Sequence, residues 1–168
     1  MPRVLLTIVA CLALLLAGCG SDSSSTSSSG DEASTAAGKT EESAKKKTKP
    51  EVKAPKGAPP KKLEIKDLEE GSGPAAKAGD EVSVQYVGVN YKTGQQFDAS
   101  WDRGEPFTFK LGEGLVIKGW EEGIEGMKAG GRRELVIPPS LGYGPNGSPP
   151  TIPPNETLVF VVDLEALK

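Results

Sequence analysis

The sequence predicts an α+β domain over residues 63–168, an antiparallel sheet with one face packed on one short helix. Three observations predict it. Segments of alternating apolar and polar residues recur after residue 80, with the period of half-buried strands. A single stretch, from Val116 to Met127, carries apolar residues at helical spacing. Turn signals rich in Gly and Pro separate these segments. Many strands around one helix favour an antiparallel sheet.

Taken in order, Val82, Val84 and Tyr86 alternate with Glu81, Ser83 and Gln85, which makes a first strand. Lys92-Thr93-Gly94-Gln95 is a turn, and Phe97 reopens an extended run. Phe107, Phe109 and Leu111 alternate with Thr108 and Lys110. Next comes the helix, where Trp120, Ile124 and Met127 fall at i, i+4 and i+7, on one face. Gly119, Gly123 and Gly126 interrupt it, so packing rather than propensity must hold it. Val116 and Ile117 lie just ahead, where backbone N–H groups have no intrahelical acceptor. Ala129-Gly130-Gly131 is the expected end, with glycine as a left-handed cap. Leu135, Val136 and Ile137 form a strand that stops at Pro138-Pro139. A Gly- and Pro-rich loop runs from Ser140 to Asn155, and Leu158, Phe160, Val162 and Leu164 alternate in a last strand.

The chemistry open to this domain is narrow. The chain has no histidine, and its two cysteines, Cys11 and Cys19, lie ahead of the domain. Ser–His–Asp triads, Cys–His pairs, His metal sites and thiol redox chemistry are thereby excluded. No metal site or cofactor is expected. From Leu63 onward ten basic residues face seventeen acidic ones, a net charge of −7. An acidic domain with dispersed positive charge is not a nucleic-acid binder.

Residues 1–19 read as a leader. Arg3 gives a thin positive region, and Val4 to Ala17 is almost entirely apolar but too short for a membrane span. It ends in Leu16-Ala17-Gly18-Cys19, which resembles the bacterial lipobox, with Cys19 as the lipidated residue. The alternative is an ordinary signal peptide with a chance cysteine. Residues 20–62 are low in complexity: a Ser/Thr run from Ser21 to Ser29, then Lys45-Lys46-Lys47, then Pro50, Pro55, Pro59 and Pro60. With few apolar residues this segment is expected to be a disordered linker, a coil of roughly 35 Å that holds the domain off a membrane surface.

Several motifs then converge on one family. VQYVG at Val84 to Gly88, FDAS at Phe97 to Ser100 and PFTFKLGEG at Pro106 to Gly114 lead into VIKGWEEGIEGM at Val116 to Met127. LGYGPNG starts at Leu141, and TIPPNETLVFVVDL runs from Thr151 to Leu164. In this order and spacing the region from about Leu63 to Lys168 resembles FKBP-type peptidyl-prolyl cis-trans isomerases. The resemblance implies a curved antiparallel sheet wrapped around one short helix. It implies a substrate pocket at Tyr86, Phe97, Asp98, Phe107, Val116, Ile117, Trp120, Tyr143, Ile152 and Phe160, with Trp120 as its floor. The Ile117 N–H and the Tyr143 hydroxyl would donate to substrate carbonyls, and Asp98 would lie at the edge near Tyr86. Ser148, Leu141 and Trp101 depart from the commonest family pattern.

The function implied is rotation of X–Pro bonds in exported proteins without covalent or acid/base chemistry. The partners implied are proline-containing polypeptides, rapamycin-type macrolides and, through the lipid anchor, the outer face of the bacterial cell membrane. A monomer is expected, since no dimerisation helix is visible. Two alternatives stand beside it. The same pocket can hold proline-containing chains without turnover, as a chaperone or adaptor module, or the domain can be structural, with no concave aromatic pocket.

Overall fold

The computed structural model describes residues 47–168. The leader, the Ser/Thr run and Cys19 lie outside the described residues. Six strands form one antiparallel sheet: β1 (Glu64–Glu69), β2 (Glu81–Asn90), β3 (Gln96–Ala99), β4 (Phe107–Lys110), β5 (Arg132–Ile137) and β6 (Leu158–Leu167). Their order is β1-β5-β6-β2-β3, and β4 also pairs with β2. The long β2 therefore takes β6 along one edge, and β3 and β4 along different parts of the other. Among the described residues two short helices accompany the sheet, α1 (Ser100–Arg103) and α2 (Lys118–Ile124). A single 3-10 turn, Pro139–Leu141, follows β5. This is the α+β architecture that the alternation predicts.

Strand alternation sorts the side chains onto two faces. Val82, Val84, Tyr86, Leu135, Ile137, Leu158, Phe160, Val162 and Leu164 face α2 and form the main core with Trp120, Ile124 and Met127. Val87, Val89, Val136 and Val159 point the other way and make a second apolar cluster with Tyr91 and Ala99. Helix α2 approaches the sheet closely because it presents glycine there. A Cβ on Gly119 would lie 2.4 Å from Ile137 Cγ2, and one on Gly123 2.7 Å from Leu135 Cδ2. These glycines cost helix propensity and allow the contact that holds the helix.

Three expectations change. Helix α2 ends at Ile124, ahead of the expected Ala129-Gly130-Gly131; Gly126 takes φ 76° and turns the backbone away. Met127 still reaches the core, 1% exposed, because Met127 N–H bonds to Ile124 O. Arg133 on β5 supplies the cations that the last turn of α2 lacks: Nη1 donates to Gly123 O at 2.8 Å and Nε to Asp67 Oδ1 at 2.6 Å. β1 has no counterpart in the sequence reading, since it is an edge strand with exposed residues and no clear alternation. Finally, residues 47–62 contain no helix or strand, yet they are not separate from the domain: Val52 packs against the second cluster.

Candidate functional site

A cleft of about 400 Å³ opens on the α2 side of the sheet, within the usual size range for small-ligand sites. Tyr86 (β2), Phe97 and Asp98 (β3), Phe107 (β4), Trp120 (α2) and Phe160 (β6) reach it from regular elements. Val116 and Ile117 line it from the segment before α2, and Tyr143 from the loop after the 3-10 turn. Nine of the ten expected pocket residues thus converge. Ile152 does not line the cleft; it is 5% exposed and belongs to the core beneath.

Trp120 is 4% exposed and forms the floor. Its ring meets Tyr86 at 5.0 Å and Phe160 at 5.3 Å between centroids, both edge to face, with Phe107 at 6.2 Å. Phe97 meets Phe160 at 5.4 Å and 87°. Edge-to-face geometry suits the ring quadrupoles and fixes the walls without polar atoms. Gly88 makes room for two of these rings: a Cβ there would lie 2.7 Å from both Phe160 Cε1 and Phe97 Cζ. The indole N–H of Trp120 is buried without a hydrogen-bond partner among the described residues.

One edge of the cleft is polar. Tyr86 donates its hydroxyl proton to Asp98 Oδ2. Arg103 joins both, with Nη1 on Asp98 Oδ1 at 2.6 Å and Nη2 on the Tyr86 oxygen at 2.8 Å. Helix α1 is docked for this by Ser100, whose Oγ accepts the Tyr86 N–H at 2.8 Å and donates to Gln85. Burial, and then the hydrogen bond to Asp98, push the Tyr86 phenol up to about 12, while Arg103 pulls the other way. Burial also raises Tyr143, with the charge of Asp98 adding to it. Both phenols are therefore neutral donors through the physiological range.

Ile117 immediately precedes α2 at φ −62°, ψ 148°, and its carbonyl accepts from Trp120 N–H. Its own N–H precedes the first turn and so has no intrahelical acceptor. Tyr143 is 41% exposed, between Gly142 and Gly144, and the loop is tied back by Gly144 N–H on Pro139 O.

Sequence reasoning missed four residues. Arg103 carries no local signal, since its partners come from β2 and β3. Glu121 accepts the N–H groups of Gly112 and Gly114, fixing the segment that leads to Val116; its sequence signal is an acid in the first turn of a helix. Gly114 and Leu115 complete the rim, and Leu115 is 64% exposed.

Comparison with known proteins defines the class. The family model for FKBP-type peptidyl-prolyl cis-trans isomerase matches residues 73–165. The chain belongs to this family, and it is a peptidyl-prolyl cis-trans isomerase. It is 58% identical over 120 residues to an FK506-binding protein of Streptomyces anulatus, covering 71% of this chain and 97% of that one. It is 51% identical to an FK506-binding protein of Neisseria meningitidis serogroup B, covering 61% and 93%. Among solved structures, AtFKBP13 is similar with a TM-score of 0.59 and 38% identity, over 63% of this chain and 93% of that one. FkpA from Escherichia coli has a TM-score of 0.58 and 47% identity, over 63% of this chain but 48% of its own.

Proposed function

We propose that the protein accelerates X–Pro rotation in exported polypeptides by desolvating the prolyl amide in the aromatic cleft. The rotation barrier is about 18–20 kcal/mol because amide resonance makes the planar form the stable one. That planar form is also the more charge-separated. An apolar, water-poor site disfavours it relative to the twisted form. Phe97, Phe107, Trp120 and Phe160 supply such a site, and this aromatic enclosure is the observation that carries the reading. The Ile117 N–H and the Tyr143 hydroxyl orient the peptide and favour the twisted state. Each tenfold in rate needs only about 1.4 kcal/mol. The family likeness to FK506-binding proteins supports macrolide binding in the same cleft.

The test is an isomerase assay on Xaa–Pro peptides with wild type, Tyr143→Phe and Asp98→Ala, alongside macrolide binding. Tyr143→Phe keeps the ring and removes one neutral donor, so about 0.5–1.5 kcal/mol and a few-fold in kcat/KM are expected to go, with the fold intact. Asp98→Ala is expected to lower activity by freeing Tyr86 and Arg103. The pH–rate profile is expected to be flat from pH 6 to 9. With Tyr86 raised to about 12, its neutral form is kept below pH 10 in folded and unfolded chains alike, and its contribution to stability is lost as pH rises from about 10 through about 12. A bell-shaped profile centred near neutrality would overturn the desolvation mechanism. Macrolide binding with no wild-type turnover on any Xaa–Pro peptide would leave a binding module.

The membrane-anchored setting rests on the leader and the lipobox-like Leu16-Ala17-Gly18-Cys19. Cys19→Ser is expected to release the protein from the membrane fraction, because stable anchoring takes two lipid signals and the variant has none. Retention of Cys19→Ser at wild-type levels would sink the anchor.

A further inference from the structure

We propose that residues 47–58 are a strap built into the folded unit, which closes the outer face of the sheet, on the side away from the cleft. The outer face needs a cover. Val87, Val89, Val136 and Val159 form an apolar surface there, and Asp163, 1% exposed, lies within the same face. The strap covers both. Lys47 Nζ sits 3.2 Å from Asp163 Oδ1 and 3.4 Å from Glu69 Oε2. Arg132 Nη2 donates to Thr48 O at 2.8 Å. Lys49 Nζ donates to Asp102 Oδ1 at 2.5 Å, and Gln96 Nε2 holds the other oxygen of that carboxylate at 2.7 Å. Val52 packs on the valine cluster, as does Trp101. Tyr91 reaches Ala58 O at 3.4 Å.

The sequence explains how so polar a segment can pack. Pro50, Val52 and Ala54 are partly buried, while Glu51 and Lys53 are exposed, the period of an extended chain. Pro50 and Pro55 bias the preceding Lys49 and Ala54 toward extended backbone, so less chain entropy is lost on docking. The strap adds no ladder to the sheet; it lies across it, held by charge at one end and by Val52 in the middle. Its grip on Asp102 falls on α1, next to Arg103, which braces Asp98 and Tyr86 at the cleft. Because the valine cluster and the cleft use opposite faces of the sheet, the strap leaves the cleft mouth clear for a polypeptide. The strap does not depend on the isomerase reading.

The experiment uses the full chain. Val52→Asp places a charge on the valine cluster, with Val52→Ser as a milder second variant. Both are expected to lower the melting temperature, the first by about 3–6 °C, and to speed trypsin cleavage after Lys53 and Lys56 at least tenfold. Melting or cleavage that stays at the wild-type value in both variants would overturn the strap.

Discussion

Trp120→Ala is expected to lower stability by about 3–5 kcal/mol, the scale for removing a large buried ring, and to take most of the isomerase activity with it. The indole is 4% exposed and meets Tyr86, Phe107 and Phe160 edge to face and Phe109 at a tilt, so its removal leaves a gap lined by four rings that also pack on one another. Because the same residue is core anchor and cleft floor, the two losses must be separated. Thermal melts give the first. Activity measured near 10 °C, where the variant remains folded, gives the second, and Trp120→Phe is expected to recover part of both. A stability loss below about 1 kcal/mol would show that the cleft floor is not part of the core packing.

Much of this was legible in the chain. Alternation found β2, β4 and β6, whose Val82, Val84, Phe109, Leu158, Phe160 and Leu164 all face one continuous core, while β5 was legible as the apolar run Leu135-Val136-Ile137, which buries Val136 on the opposite face. It missed β1, whose Ile65 and Leu68 are half exposed and leave no such imprint. The helix was placed by Trp120, Ile124 and Met127, but its end was not, because Met127 is carried into the core by a turn rather than by the helix. The motifs located nine cleft residues. They did not separate Ile152, a buried core residue, since burial in the core and exposure within a cleft call for the same apolar side chain. Arg103 stayed hidden because its role exists only once β2, β3 and α1 are assembled.

The strap shows the limit of composition as a guide. Few apolar residues meant no core of its own, which led to an expectation of a free linker over residues 20–62. For 47–58 that inference skips a step: a segment that cannot build a core can still lie on one. Val52 and two prolines suffice when the surface beneath is already formed and carries complementary charge.

The carboxylate under that strap is the second site where a large effect is expected. Asp163 stands directly opposite Arg132 on β5 and Gln85 on β2. Arg132 binds it through Nε at 2.7 Å and Nη2 at 2.9 Å, and the guanidinium is pushed further up first of all by that hydrogen bonding. Removing one member of a buried pair leaves the other charge uncompensated, at a cost of about 3–5 kcal/mol. Asp163→Ala is expected at the lower end, since Arg132 is 14% exposed and regains some water, while Lys47 keeps Glu69 at 3.4 Å. The pair itself need not be so favourable, because both ions were taken out of water to make it. Arg132→Met combined with Asp163→Leu is therefore expected to be more stable than Asp163→Ala, and far more stable than the sum of the single losses from Arg132→Met and Asp163→Leu. Chemical denaturation of wild type, the three single variants and the double measures this. Additive losses, or a single-variant cost for Asp163→Ala near zero, would mean that Asp163 is solvated in the native protein and that neither Arg132 nor Lys47 is bound by it.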